Sequence, residues 1–503
     1  MFTKILIANR GEIAVRIARA CKEMGIAPVA VYSEVDRVAL HVAHCYEAYP
    51  IGGSESRESY LNIERVVDAA RKSGAQAVHP GYGFLAENAA FAQACEDAGL
   101  VFIGPTPAAI RAMGNKLEAR AAMKKAGVPI VPGSDGPVSD PKEAVRIADA
   151  IGYPVLLKAA AGGGGKGMRV VKNAAEFATS LELTMGEAAA AFKDPSVYIE
   201  KFIENPKHIE IQVMADSFGH VVSYGERECS MQRRYQKVIE EAPSPVVSEE
   251  LRAALSDAGR KAAAAVHYRG AGTIEFILDP SGKFYFLEMN TRLQVEHPVT
   301  EMVYGVDLVK QQIHIAAGEH LDVQQTDIVP RGHAIEMRIY AEDASRGFMP
   351  SIGRIKRQVL PSGPGIRNEN GVYAGYEIPI YYDPMIGKLV VWAESREAAI
   401  PRARRALREY RCEPVHTNVD FLLWALHEPS FLDGSYTTKT IETVFKPDQL
   451  PRRDEEVELA AVAAAIAAFN YHSTVRHISL DEGDGGNAWQ RAARTEGTQR
   501  WSS

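Results

Sequence analysis

Along the first hundred residues, short apolar and β-branched runs alternate with segments whose apolar positions recur every three or four residues. The runs KILIA (4–8), PVAVYS (28–33), AQAVHP (75–80) and LVFIGP (100–105) predict strands. Between them, Glu12–Met24, Leu61–Lys72 and Asn88–Ala98 predict amphipathic helices. This alternation predicts parallel strands joined by crossover helices, a Rossmann-like α/β layer arrangement. The first strand-to-helix turn reads Asn9-Arg10-Gly11-Glu12 and lacks GxGxxG, so the dinucleotide fingerprint is absent.

The pattern then changes. VPIVPGSDGPVSDP (128–141) is rich in Pro, Gly and Ser and marks a domain junction. A compact segment follows to about residue 203. Beyond it, HIEIQVMAD (208–216), GTIEFIL (272–278) and KFYFLEMN (283–290) read as antiparallel strands, an α+β pattern that runs to about residue 446 and ends helix-rich. A tail of mixed character closes the chain.

Length and composition narrow the possibilities. The 503 residues suffice for two to four domains, and 46% apolar with 24% charged residues is ordinary for a globular protein. The longest apolar stretch, Leu459 to Phe469, is Ala-rich and too short to span a bilayer. The opening MFTKILIANRG turns polar at once, unlike a signal peptide, which predicts a cytoplasmic chain. Five scattered cysteines without a CxxC pair argue against disulfides and a zinc site. A net charge of −7 argues against bulk nucleic-acid binding. Of two basic clusters, 232–237 and Arg402–Arg408, the second predicts the solvated face of a helix.

Chemistry concentrates at a few places. Gly162 to Gly165, followed by Lys166 and Gly167, lie between two apolar runs. Such a loop can bring backbone N–H groups close to phosphate oxygens, with Lys158 supplying charge; a flexible hairpin loop gives the same pattern. The Walker spacing is not met. GTIEFILDPSGKFYFLEMN reads as a hairpin turning at Ser281-Gly282, which places Glu275 opposite Glu288 and Thr273 opposite Asn290. Opposed carboxylates destabilise a sheet unless a cation lies between them, so Glu275, Glu288 and Asn290 form a hard-oxygen candidate for Mg²⁺. One glutamate solvated and the other paired with a lysine is the alternative. If the following segment is extended, Arg292, Gln294 and Glu296 share a side, able to hold a small oxyanion and remove its proton, or simply to face solvent. Ala334–Tyr340 alternates as a half-buried strand with Glu336, Arg338 and Tyr340 on one face.

Several long motifs carry a family resemblance. ANRGEIAVRI (8–17), HPGYGFLAEN (79–88), MGNK (113–116), KAAAGGGGKGMRVV (158–171), MQRRYQKVIEEAP (231–243), EMNTRLQVEHPVTEM (288–302), EMRIYAED (336–343) and YYDPMIGKL (381–389) resemble biotin carboxylase. The resemblance runs from residue 1 to about 446. It implies an α/β and α+β multidomain fold: a Rossmann-like N-terminal domain (1–114), an ATP-grasp domain (115–330) with a mobile lid at about 131–203, a C-terminal domain (331–446) and a tail (447–503) of open role. The other ATP-grasp ligases, such as carbamoyl-phosphate synthase, would not carry HPGYGFLAEN or RLQVEHPVTEM.

The resemblance also implies roles. Lys116 and Lys158, with Gly164 and Gly165, would contact ATP phosphates. Glu200, Lys201, Phe202, Ile203 and His208 would hold the nucleotide. Tyr235 stands where a histidine often approaches the ribose. Glu275 and Glu288 would bind Mg²⁺ (or Mn²⁺), with Asn290 nearby. Lys237, Arg292, Gln294 and the backbone of Val295 would cradle bicarbonate, with Glu296 as general base. Arg338 would bind the ureido oxygen of biotin, with Tyr82 and Arg16 lining that pocket. The implied reaction forms carboxyphosphate from bicarbonate and ATP and carboxylates biotin, the first half-reaction of an acyl-CoA carboxylase; the alternative is a pyruvate or other keto-acid carboxylase. No Met-Lys-Met tripeptide occurs, so biotin is expected on a biotin carboxyl carrier protein, with separate carboxyltransferase subunits and a homodimeric carboxylase. NAWQRAARTEG (487–497) and Trp501 resemble the start of a docking segment in longer fused carboxylases; a frayed helix fits as well.

Overall fold

The apolar runs at the start of the chain become a parallel sheet. β1 (Lys4–Ile7), β2 (Ala27–Ser33), β3 (Glu47–Gly52), β4 (Ala77–His79) and β5 (Val101–Phe102) lie in the order β3-β2-β1-β4-β5. Helices cover both faces, so β1 is apolar at successive positions. Ile5 and Ile7 pack with Ile13 and Ile17 of the helix Gly11–Glu23, while Leu6 packs with Val66, Ala70 and Phe91 on the other side. β3 escapes the sequence pattern because EAYPIG buries only Ile51 and carries Pro50, as an edge strand can. Successive connections leave β1 in opposite directions, which opens a crevice beyond the carboxyl ends of β1 and β4. Asn9 ties the two loops there, its Nδ2 donating to Pro80 O at 2.8 Å and Tyr82 O at 2.7 Å.

The computed structural model describes residues 1–159, 168–192, 195–450 and 455–474. Met1–Leu450 forms one compact unit and Pro451–Ser503 a second. In the second, Glu455–Thr474 is a helix with Val462, Ile466 and Phe469 exposed; residues 487–497 and Trp501 lie outside the described residues. Among the described residues no helix is long and apolar enough to cross a membrane.

The segment after the Pro/Gly junction folds around a core of its own. β6 (Val155–Ala159), β7 (Met168–Val171) and β8 (Val197–Lys201) form an antiparallel sheet with β6 in the middle. The helices Pro141–Ile151 and Ala174–Phe192 pack on it, burying Ala144, Ala148, Phe177 and Leu181 against Val155, Leu157 and Ile199. Gly164 and Gly165 fall between β6 and β7, outside the described residues.

An eight-stranded sheet carries the rest. β9 (Lys207–Ala215), β10 (Val221–Arg233), β11 (Gln236–Ala242), β12 (Gly270–Leu278), β13 (Phe284–Asn290), β14 (His333–Tyr340), β15 (Ile366–Asn370) and β16 (Met385–Ala393) run in the order β13-β12-β9-β10-β11-β14-β16-β15. Every adjacent pair is antiparallel. β14 is buried at every residue, not half-buried, because β11 and β16 flank it and both faces are covered.

The β12–β13 hairpin corrects one expectation and keeps another. Its loop has three residues, Pro280 to Gly282, closed by Asp279 N donating to Lys283 O at 2.8 Å. The Asp279 carboxylate accepts from Ser281 N and Lys283 N, and Gly282 takes φ +85°, which favours this loop over the two-residue turn. A bulge then shifts the register by one residue, so Glu275 still opposes Glu288 and Thr273 opposes Asn290.

Close backbone contact joins the C-terminal strands to the first helix. A Cβ on Gly371, just after β15, would lie 2.8 Å from Glu12 N and 3.2 Å from Gly11 C. Backbone atoms cannot yield by changing rotamer. Gly371→Ala should therefore cost about 1–3 kcal/mol, the usual range for overpacking. A urea midpoint equal to that of the parent protein would show that the contact relaxes freely.

Candidate active site

Two strands and one turn deliver carboxylates to a single ammonium. Lys237 on β11 donates to Glu210 on β9 (2.6 Å), Glu275 on β12 (3.0 Å) and Glu296 (2.6 Å), and lies 3.5 Å from Gln294 Oε1. β9 reaches this point because Ile209, Ile211 and Val213 pack into the core while His208, Glu210 and Gln212 face the other way. Beneath lies Arg227 on β10, fully buried, paired with Glu210 and donating to Gln212 (2.7 Å), Thr300 (2.9 Å) and Thr273 (3.1 Å). On the far side, Arg338 on β14 holds Glu240 and, at 2.9 Å, Glu296.

The charges set one another. Burial would lower the Lys237 ammonium, yet Glu210, Glu275 and Glu296 hold it well above the ordinary range. Burial would raise Glu296, but Lys237, Arg338 and Arg227 hold it well below the carboxylate range. The four carboxylates Glu210, Glu240, Glu275 and Glu296 face three fixed cations, Lys237, Arg227 and Arg338, with His208 beside Glu275. The excess shows at Glu240, which burial pushes up to about 7 against the pull of Arg338.

Residues 291–296 are not an extended strand. They form a turn that ends with Glu296 as N-cap of the helix His297–Tyr304. Pro298 stands in the first helical turn, where its missing N–H is harmless. The turn sends Gln294 and Glu296 inward to Lys237, while Arg292 pairs with Glu87 at 2.9 Å and donates to Asn290 Oδ1 at 3.0 Å. Lys388 Nζ donates to Val295 O at 2.7 Å.

The hairpin carboxylates differ in their surroundings. Glu275 accepts from Lys237, Asn290 and Gln294 and lies 3.1 Å from His208 Nε2; despite burial, Lys237 and His208 keep it well below its ordinary range. Glu288 is raised by burial and by Glu275, with Lys116 pulling the other way. Such opposed oxygens suit a hard divalent cation, provided that some donors on Glu275 yield. Lys116 begins the helix Lys116–Lys125, capped by Asn115. Lys158 pairs with Glu200 across β6 and β8; Lys201 donates to Gly152 O and Tyr153 O, Phe202 N donates to Pro154 O, and Ile203 is partly buried nearby in the chain.

Beside Arg338 opens a cavity of about 480 Å³, lined by Asn9 to Ile13, Tyr82 to Phe84, Gln236, Arg292, Val295, Tyr340 and Tyr381 to Asp383, among others. It occupies the crevice beyond β1 and β4. Tyr82 lies in its wall. Arg16 does not: one turn further along the helix, it is buried with Glu301 (2.9 Å) and Asp307 (2.7 Å). Tyr235 is 91% exposed, at a hairpin tip where Arg234 and Tyr235 both have positive φ. A two-residue turn of that type points its side chains away from the sheet, so Tyr235 stands apart from the Lys237 cluster.

Sequence reasoning missed Glu210, Arg227, Glu240 and Glu87. The strict alternation of HIEIQVMAD placed Glu210 on a polar face, but alternation does not distinguish a solvated face from a buried ionic one.

Comparison with known proteins identifies the family. The description "Biotin carboxylase, N-terminal domain" matches residues 1–110, "Carbamoyl-phosphate synthase L chain, ATP binding domain" matches 115–324, and "Biotin carboxylase C-terminal domain" matches 336–443. Biotin carboxylase of Nostoc sp. is 55% identical over 445 residues, 88% of this chain and 100% of that one. The chain belongs to the biotin carboxylases. It is an ATP-dependent carboxylase of ATP-grasp architecture, as the motifs implied. The small subunit of 2-oxoglutarate carboxylase from Hydrogenobacter thermophilus is 51% identical, covering 93% of this chain and 100% of that one. The biotin carboxylase domain dimer of the same carboxylase, solved with MgADP and bicarbonate, superposes with a TM-score of 0.80 at 52% identity, covering 88% of this chain and 98% of that one. A pyruvate carboxylase component from Methanothermobacter thermautotrophicus is 53% identical, covering 88% of this chain and 90% of that one.

The buried ionic cluster should be needed for folding. Arg227→Met leaves Glu210 without its closest cation in a fully buried position, and breaking a buried pair from one side costs about 3–5 kcal/mol. Equilibrium unfolding should show a loss of that size. A change below about 1 kcal/mol would mean that Lys237 alone satisfies Glu210.

Proposed function

We propose that this chain uses MgATP and bicarbonate to carboxylate biotin delivered on a carrier protein, and that a separate carboxyltransferase chooses the final acceptor. The observation that supports it best is a buried carboxylate, Glu296, gripped by Lys237 and by Arg338, which lines the cavity. A resting Glu296 so held is a poor base. Bicarbonate entering between Lys237 and Arg292 would compete for the ammonium, and Glu296, released from it, would regain basicity as the anion arrives. Coupling base strength to substrate binding avoids a free base in the empty site.

In this reading Lys116, Lys158 and His208 approach the nucleotide phosphates, and Glu200 to Ile203 line its base. Glu275 and Glu288 would hold Mg²⁺, which supplies charge neutralisation at the phosphates. Bicarbonate attack on the γ-phosphate breaks the bond to the β-phosphate and gives carboxyphosphate and ADP; carboxyphosphate breakdown delivers CO₂ beside biotin while the released phosphate takes the N1 proton. Positioning and charge neutralisation carry most of the rate. Relatives at 53% and 51% identity are named as components of pyruvate and 2-oxoglutarate carboxylases, so both acyl-CoA and keto-acid acceptors fit this reading.

Two substitutions separate the parts. Arg338 presents a fixed charge to the ureido oxygen, where negative charge grows as N1 loses its proton, so it acts on rate more than on affinity. Arg338→Ala should lower biotin-dependent carboxylation about 10²–10³-fold while nucleotide affinity is retained. If both fall together in a folded protein, Arg338 belongs to the nucleotide site. Glu288→Lys puts a cation where the metal is expected and should abolish Mg²⁺-dependent turnover; activity within a few-fold of the parent would refute the metal assignment. The reading as a whole is tested by ATP hydrolysis, which should require bicarbonate and rise with free biotin.

A further inference from the structure

Beneath the turn that carries Gln294 and Glu296, three distant chain segments meet at a second buried ammonium. Lys388 on β16 is 2% exposed and stands directly across the strand pair from Arg338. Its Nζ donates to Val295 O at 2.7 Å and lies 3.3 Å from Glu12 Oε2. Glu12 belongs to the first helix and Val295 to the loop after β13. Neither carboxylate oxygen of Glu12 takes part in a well-directed hydrogen bond. Glu336 on β14 is likewise buried and unpartnered. Arg338, Glu240, Glu296 and Glu369 are the other charges that act on these two carboxyls, and the Tyr82 ring closes the side at 5.6 Å from Nζ.

Burying a lysine is costly, and a methionine would fill the same space without that cost. An ammonium whose only task was to neutralise Glu12 would not need to reach a carbonyl on another segment. The peptide that begins at the Val295 carbonyl ends at the nitrogen of Glu296, and peptides are planar. Anchoring that carbonyl therefore sets the plane from which Glu296 departs. Burial pushes the Glu12 carboxyl up to about 7, with Lys388 the main force against it, so its hold on Lys388 weakens near neutrality. The Val295 carbonyl is a partner at every pH.

We propose that Lys388 is a positioning residue for bicarbonate: by anchoring Val295 it keeps Gln294 and Glu296 within reach of Lys237, and Glu12 balances its charge. This rests on the reading of the 292–296 turn as the bicarbonate site.

The test is the steady-state rate of ATP hydrolysis with free biotin, measured against bicarbonate and against MgATP. Lys388→Met removes the ammonium and keeps the packing, but it leaves Glu12 and Glu336 without a nearby cation. The double variant Glu12→Gln/Lys388→Met removes one charge of each sign and restores the balance. Losing a charged hydrogen bond corresponds to about tenfold or more in affinity. The folded double variant should therefore show a bicarbonate KM raised about tenfold or more, with the MgATP KM within about twofold of the parent. A bicarbonate KM within twofold of the parent overturns the proposal. So does an equal rise in both KM values, which would mark Lys388 as general scaffolding. A parent protein whose ATP hydrolysis ignores bicarbonate would instead refute the bicarbonate site itself.

Discussion

The arrangement of the site depends on one ammonium. Lys237 has three carboxylates within 3.0 Å, on β9, β12 and the turn before the helix His297–Tyr304. Burial disfavours each charge taken alone, and the ammonium and the carboxylates offset that cost for one another. Arg227 and Arg338 extend the same mutual dependence to either side. Hydrophobic contacts hold the strands together, but the ionic cluster fixes where their polar faces must meet.

That cluster lies where the two main sheets approach each other. The parallel sheet supplies the crevice beyond β1 and β4, with Asn9 tying its two loops. The eight-stranded sheet supplies the charged floor. Glu87, from the loop after β4, pairs with Arg292, and Glu12 lies beside Lys388. Each contact joins residues far apart in sequence, so the cavity exists only when both layers are docked. Both sides supply aromatic and charged groups to its walls, Arg10, Glu12, Tyr82 and Phe84 from one and Arg292, Arg338, Tyr340 and Tyr382 from the other, a make-up that suits a small polar ligand.

The balance of charge sets the carboxylates of the site apart from one another. With more carboxylates than cations, Glu240 and Glu288 are raised while Glu275 and Glu296 are held low. On the proposed reading, a divalent cation between Glu275 and Glu288 would relieve Glu288, and an anion at Lys237 would compete with the carboxylates that the ammonium holds.

Much of this is legible along the chain before any folding is considered. Alternating apolar runs announced the parallel sheet, long motifs announced the family, and the opposition of Glu275 and Glu288 followed from strand periodicity. That last register survived although the loop was longer than expected, because a bulge made up the difference. Other features were set only when distant segments met. β14 was expected to be half-buried and is buried throughout, since a pattern along one strand does not reveal what covers its polar face. The segment 291–296 alternates like a strand yet turns into the helix His297–Tyr304, which brings Gln294 and Glu296 to Lys237. Arg16 and Tyr235 lie in family motifs, but the helix turns Arg16 toward Glu301 and Asp307, and the hairpin tip leaves Tyr235 in solvent. The physical reason is common to all of these. Periodicity records which side of an element is polar, whereas whether that side meets water or an opposite charge depends on partners distant in the chain.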